Sequence, residues 1–123
     1  MEFAITLPVF LVFLMASFEF AWLNVLRHTA DNAAYESARH AMVPGATSAE
    51  ATATATTLLN VVHTHEAKVN ITPSTITPAT DEVTVTIDVP LGNNAIILPR
   101  FTKSGIIHSS CTLRTERART TTP

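Results

Sequence analysis

The 123-residue chain is long enough for one small domain, and its formal net charge of −2 gives no sign of the basic surface that nucleic-acid binding requires. Its single cysteine excludes an intrachain disulfide framework, and the sequence has no glycine-rich motif that would cradle a phosphate group. Apolar residues are concentrated at the N-terminus, whereas most charges and most threonines come later.

The N-terminal segment from Phe3 to Leu26 is almost entirely apolar. As a helix it would extend about 36 Å, more than the roughly 30 Å hydrocarbon core of a bilayer. A secretory signal has a basic start and a shorter apolar stretch, and a domain this small could not cover a helix that is apolar on all sides. We therefore predict a transmembrane helix over residues 1–27, with Pro8 inside it and Trp22 near its far, interfacial end.

The helical pattern continues beyond the membrane segment. Four alanines, Ala30, Ala34, Ala38 and Ala41, fall on one helix face, and Pro44-Gly45 follows as a stop signal. We predict one long helix from about Glu2 to Val43. We expect the alanine stripe to pack against a sheet within the chain. Packing of the same stripe between subunits is an alternative that is compatible with this.

A second helix is predicted after Thr47, because Thr47 and Glu50 have the spacing of a capping box. The apolar positions that follow repeat at helical spacing, up to an end near His63. The alternating stretch ATATAT is also compatible with a strand, but the cap and the leucine spacing favour a helix.

Alternation with a period of two then predicts strands. Val69 and Ile71 alternate with polar neighbours, and the alternation is clean in VTVTIDV. It is present again in GIIHSSCTLR, which places on one side Ile107, Ser109, Cys111 and Leu113. Residues 91–104 are predicted to be a connection, with a short extended piece at Ala95–Leu98. The sequence thus predicts an α+β fold in which two helices are followed by a small antiparallel sheet of about three strands. The domain is predicted over residues 28–115 and a disordered tail over 116–123.

The order of these features resembles the TadE-like family, the minor pseudopilins of tight-adherence (Flp-type) pilus systems. The family opens on a segment similar to VEFALVLPLLL, followed by EFG and AAREGAR. The corresponding residues here are Glu2, Phe3, Ala4, Leu7, Pro8, Glu19, Phe20, Ala33, Ala34, Glu36, Ala38 and Arg39. The similarity covers about the first 43 residues and departs from the family at Tyr35 and Ser37, where Arg and Gly are usual.

This resemblance implies a pilin-like fold and a non-catalytic role in pilus assembly, without a cofactor. It implies a single-pass protein of the cytoplasmic (inner) membrane, with its domain outside the cytoplasm or in an extracellular filament. Arg27, by the positive-inside rule, favours the opposite orientation. The implied partners are a sister pseudopilin, the major pilin and the inner-membrane assembly platform, and a homo-oligomer is possible. The resemblance also implies a basic leader and a processing site before the first Glu-Phe pair.

One carboxylate lies inside the apolar segment and another at its edge, although a charge in hydrocarbon costs at least about 2.5–3.5 kcal/mol. Glu2 is interpreted either as a solvated group at a helix N-terminus or, from the resemblance, as the partner of a neighbouring subunit's terminal amine, which requires a processed N-terminus. Glu19 either reaches the interface or takes a proton, or it faces a partner helix and fixes its register. The predicted subunit contacts are Glu2, Phe3, Pro8, Glu19, Phe20, Ala34, Ala38 and Arg39.

Two side-chain pairs resemble chemical sites without completing one. His63 and His65 have the spacing of half a metal site, but no second Cys/His cluster accompanies them. His108 and Cys111 are three apart on a predicted strand and face opposite sides, which is unsuited to a nucleophile and its base. We therefore predict no catalytic or metal site. The alternatives to a minor pseudopilin are a filament-forming pilin and a membrane-anchored module that binds a ligand through its strand face and residues 91–104.

Overall fold

The computed structural model of the chain describes residues 1–96 and 102–114. It contains two helices, α1 (Glu2–Ala41) and α2 (Ser48–Asn60), and three strands, β1 (Lys68–Thr72), β2 (Glu82–Pro90) and β3 (Ile106–Arg114). The strands form one antiparallel sheet in the order β1-β2-β3. The predicted α+β architecture of a long helix, a second helix and a small antiparallel sheet is confirmed.

The first helix runs without a break through the apolar segment and the alanine-rich segment. Pro8 lies inside it and does not end it. The helix ends at Ala41, two residues before the predicted end. There the backbone N–H of Met42 donates to the Arg39 carbonyl, and the N–H of Val43 donates to the His40 carbonyl. Gly45 follows with a φ of +88°, a left-handed conformation that glycine adopts without steric cost.

The core lies between the second half of α1, the inner face of α2 and one face of the sheet. From α1 it receives the alanine stripe, which is 0–2% exposed, so its predicted packing within the chain is confirmed. From the sheet it receives Val83, Val85, Ile87 and Val89, the predicted inner face of β2, each 0% exposed. Because alanine side chains are short, the backbone of α1 can approach the β-branched side chains of the central strand closely.

The second helix has the predicted capping box. The Thr47 hydroxyl accepts from the Glu50 backbone N–H at 3.3 Å, and the Glu50 carboxylate accepts from the Thr47 N–H at 3.0 Å. Hydrogen bonding of the Glu50 carboxylate to the backbone N–H and the side chain of Thr47 holds the pKa of Glu50 below its usual range. Ala51, Ala55 and Leu59 face the core. The strand interpretation of ATATAT is wrong, because its threonine hydroxyls donate to carbonyls one helical turn earlier.

The third strand alternates as predicted, with Ser109 buried and its two neighbours along the inner face, Ile107 and Cys111, half-buried. Partial burial raises the pKa of the Cys111 thiol. The predicted extended piece at 95–98 is wrong for Ala95 and Ile96, which are not in a strand, and its last two residues lie outside the described part. The predicted tail, 116–123, also lies outside it.

Candidate assembly surface

The first half of α1 has no buried residue before Leu26. Its most apolar window has a mean hydropathy of 2.1, and none of the residues in that window is buried. By length and composition this helix can therefore cross a membrane. The side chains that it exposes include Phe3, Ile5, Val9, Phe10, Val12, Phe13, Phe18 and Phe20. We call this region, residues 2–25, the apolar arm. A surface of this kind requires a lipid or a protein cover.

The start of the apolar arm carries three predicted contact residues, Glu2, Phe3 and Pro8, and all three are exposed. Glu2 lies in the first helical turn, where the helix dipole favours a negative charge. The Thr6 hydroxyl donates to the Glu2 backbone carbonyl at 2.9 Å. This geometry leaves the Glu2 carboxylate accessible, and its pairing with a neighbouring subunit stays a prediction.

Glu19 has a partner within its own chain. Its Oε1 accepts a hydrogen bond of 2.5 Å from the hydroxyl of Thr102, which lies in the connection between β2 and β3. The carboxylate is therefore oriented towards the domain, while the neighbouring Phe20 is 58% exposed. A contact between Glu19 and a partner helix stays a prediction, and the side chain that would make it is half-buried.

A second bond joins the same two parts of the chain one helical turn further along. The indole N–H of Trp22 donates to the Asn94 backbone carbonyl at 2.6 Å. Trp22 is therefore half-buried against the domain as well as placed near the end of the apolar arm. We call these four residues, Glu19, Trp22, Asn94 and Thr102, the junction.

Asn94 organises the domain side of the junction. Its side-chain NH₂ donates to the carbonyls of His65 and Pro90 at 2.8 and 2.6 Å, and its Oδ1 accepts from the His65 N–H at 2.5 Å. With 7% of its surface exposed, this amide is held by three bonds in a covered position. Asn94 thereby connects the apolar arm, the end of β2 and the segment before β1.

A small cavity lies inside the junction. It has a volume of about 80 Å³ and is lined mainly by apolar groups, among them Phe18, Leu23, Leu26, Leu91 and Ile96. Pockets for drug-sized ligands usually measure about 300–1,000 Å³, so this cavity is too small for one. It is a gap where the connection rests on α1.

The other predicted contact residues lie in the second half of α1. Ala34 and Ala38 are 0% exposed, so a subunit contact through them would require this part of the chain to open. Arg39 is exposed and lies 3.9 Å from Glu36 on the same helix face. Ser37, at a position where the family usually has glycine, is fully buried and donates to the Ala51 carbonyl of α2 at 2.7 Å.

The sequence contains two side-chain pairs that resembled chemical sites, His63 with His65 and His108 with Cys111. Within residues 1–96 and 102–114, no group of three or more His, Cys, Asp and Glu side chains could hold a metal ion. His63 has a φ of 52°, in a turn after α2. His108 is exposed, and its Nδ1 lies 2.6 Å from Asp88, on the face of the sheet opposite Cys111. The structure thus does not bring His108 and Cys111 together.

Sequence reasoning missed Asn94 and Thr102. Both lie in a connection that has no helical or strand period, and their partners are 72 and 83 positions away in the sequence. The available signal was the polar pair Asn93-Asn94 within an otherwise apolar stretch, which is typical of a turn with side-chain hydrogen bonds.

Comparison with known proteins gives a family match over the N-terminal part of the chain. Residues 1–39 match the family of TadE-like proteins, which confirms the resemblance over the apolar arm and most of the remaining turns of α1. No curated protein and no solved structure gives a significant match to the chain. The matched residues include both Glu-Phe pairs and the alanine stripe up to Arg39.

Proposed function

We propose, from the match of residues 1–39 to the TadE-like family, that this chain is a non-catalytic minor pseudopilin that contributes to the assembly of a tight-adherence (Flp-type) pilus. The observation that carries the proposal is the uncovered apolar arm, which continues as one helix into the core of the domain. Such a helix both anchors the domain and presents a long surface to other helices.

The apolar arm has a place where another helix could pack closely. Ser17 and Ala21 are small, lie four apart and share a shallow groove with Phe10, Phe13 and Leu14. In lipid, helices associate through close packing at small residues, because burial of apolar surface gives no advantage over the acyl chains. The groove supports contacts with a sister pseudopilin, the major pilin or helices of the inner-membrane platform.

The proposed placement is a single span of the cytoplasmic membrane with residues 28–115 outside the cytoplasm. The family match supports this orientation, and the opposite lean rests on the single charge of Arg27. The domain has a core built mainly of alanine and valine, and the junction's two hydrogen bonds join it to the arm. The domain would therefore move together with its helix during assembly.

The test is deletion of the gene in its own cells, followed by complementation with the full chain. We expect loss of surface pili by electron microscopy and their return on complementation. In sheared filaments the protein should be scarce relative to the major pilin. Normal piliation without the gene would contradict the proposal.

Two alternatives predict different outcomes in the same cells. A filament-forming pilin would be abundant in sheared filaments. A membrane-anchored ligand-binding module would keep its function when an unrelated transmembrane helix replaces the apolar arm. The 80 Å³ cavity at the junction is too small for a drug-sized ligand and therefore does not favour the module.

A further inference from the structure

The junction fixes the depth at which the connection between β2 and β3 lies. If Glu2 marks one edge of the membrane, Glu19 lies about 26 Å and Trp22 about 30 Å along the helix from it. The hydrocarbon core is roughly 30 Å thick, so both residues lie at or just inside its far boundary. Thr102 and Asn94 are bonded to them and lie at the same depth.

We propose that this connection, through its described residues 91–96 and 102–105, is a second membrane contact that rests in the interfacial layer of the bilayer. The occupant of this surface is the lipid of the membrane that the apolar arm spans. The inference rests on the membrane anchoring in the proposed function and goes beyond it, because it assigns a lipid-contacting role to a part of the domain far from α1 in sequence.

The side chains of the connection fit that position. Ile96 is 68% exposed although it lies beside Phe18 and Trp22, so its apolar surface is continuous with that of the apolar arm. Lys103 is exposed next to Thr102, and Arg27 is exposed just beyond the arm. An apolar side chain directed to the acyl boundary with cations near the phosphates is the usual pattern of an interfacial segment.

The connection also supplies a hydrogen-bond donor to the Glu19 carboxylate. In a layer with little water, a polar group has to find its partner in protein, and the Thr102 hydroxyl supplies it. The Glu19–Thr102 and Trp22–Asn94 bonds therefore hold the connection against the membrane. The backbone is closely packed there, since a Cβ on Gly92 would lie 2.9 Å from the Lys103 carbonyl.

The test places a fluorescent label at single cysteines of the full chain in vesicles of phosphatidylcholine and phosphatidylglycerol, in a Cys111→Ala background. The three sites are Ile96→Cys, Phe13→Cys as the reference in the span, and Val43→Cys as the matched exposed aliphatic position beyond the end of α1. Quenching by nitroxide lipids is compared with quenching by aqueous iodide.

We expect the label at position 96 to emit at shorter wavelength than the label at 43, and to be quenched by a nitroxide near the headgroups. The label at 13 should be quenched by a nitroxide deep in the acyl chains, and the label at 43 by iodide alone. Labels at 96 and 43 that behave alike would overturn this inference and leave the anchoring intact. A label at 13 that also behaves like 43 would overturn the anchoring itself.

A variant pair tests the role of the junction. Thr102→Val removes the hydroxyl that Glu19 accepts from, whereas Thr102→Ser keeps a hydroxyl. Lipid quenching at position 96 should fall in the valine variant and be retained in the serine variant. Equal quenching in both variants would show that the Glu19–Thr102 bond does not hold the connection at the membrane.

Discussion

Gly45 lies in the turn that follows the long helix, in a left-handed backbone conformation. Its φ is +88°, and a Cβ added there would meet no atom within 4 Å, so the effect of a substitution comes from the backbone alone. We predict that Gly45→Ala lowers the free energy of unfolding by about 1–2 kcal/mol. Gly45→Asn should lose less, because asparagine tolerates the left-handed region. Denaturant unfolding in detergent micelles checks this, and an alanine variant as stable as the parent would contradict it.

Glu50 makes part of the stability of the domain depend on pH. Its bonds to the Thr47 backbone N–H and hydroxyl lower the pKa of Glu50 from its ordinary value of 4.5. The stabilisation is therefore fully present above pH 4.5 and is lost as the pH falls through the lower pKa of the folded state. Thermal unfolding of the parent and of Glu50→Gln should be compared from neutral to acidic pH. The advantage of the parent should shrink below that value, and a constant difference would contradict the assignment.

Glu19 is the residue whose role in assembly is most directly testable. We predict that Glu19→Ala reduces the pilus components that co-purify with the protein, while its amount in the membrane stays normal. Thr102→Val is the matched control, because it removes the donor within the chain and leaves the carboxylate. If only the Glu19 variant loses partners, the carboxylate itself makes the contact. Unchanged partners in the Glu19 variant would contradict an assembly role.

At the scale of elements, the fit between α1 and the sheet depends on the size of alanine. Ala38 is 0% exposed and packs in the core cluster with the β2 valines. Ala38→Leu should destabilise the domain by about 1–3 kcal/mol, because a closely packed core cannot take the extra volume without strain. Ala53→Leu is the matched control, since Ala53 is exposed on α2. Urea unfolding in micelles measures both, and equal stability would contradict close packing at Ala38.

The elements that the sequence predicts best are those with a local physical signal. The β2 alternation predicted which side chains are buried, and the capping box predicted where α2 begins. The alternating ATATAT stretch was the ambiguous case, and the cap together with Leu58 and Leu59 decided it correctly. In each case the relevant partners lie within a few residues, so the pattern can be read without the fold.

The junction could not be predicted in this way. The Trp22 and Glu19 side chains gave clues to a membrane boundary and to an unmet polar group, but their partners Asn94 and Thr102 lie in a connection without a period. The conformation of such a segment is fixed by the elements that it joins. The sequence therefore indicated that Glu19 needs a partner and did not indicate which residue supplies it.

At the scale of the whole molecule, the chain has two parts, a domain that buries its apolar side chains and an apolar arm that exposes them. The domain has a packed core, whereas the apolar arm has no fully buried residue from Glu2 to Val25. The match to the TadE-like family covers the arm and the turns of α1 that follow it up to residue 39. The junction and the continuous helix α1 connect the arm to the domain. This arrangement suits a protein whose membrane helix takes part in assembly as well as anchoring.

The most direct test of this account replaces residues 2–18 with an unrelated transmembrane helix of equal length and leaves the junction residues in place. The replacement and the parent chain are then expressed separately in the deletion strain, and surface pili are counted by electron microscopy. The account predicts that the replacement reaches the membrane at normal levels and fails to restore pili. Full piliation with the unrelated helix would contradict it, since the apolar arm would then serve as an anchor alone.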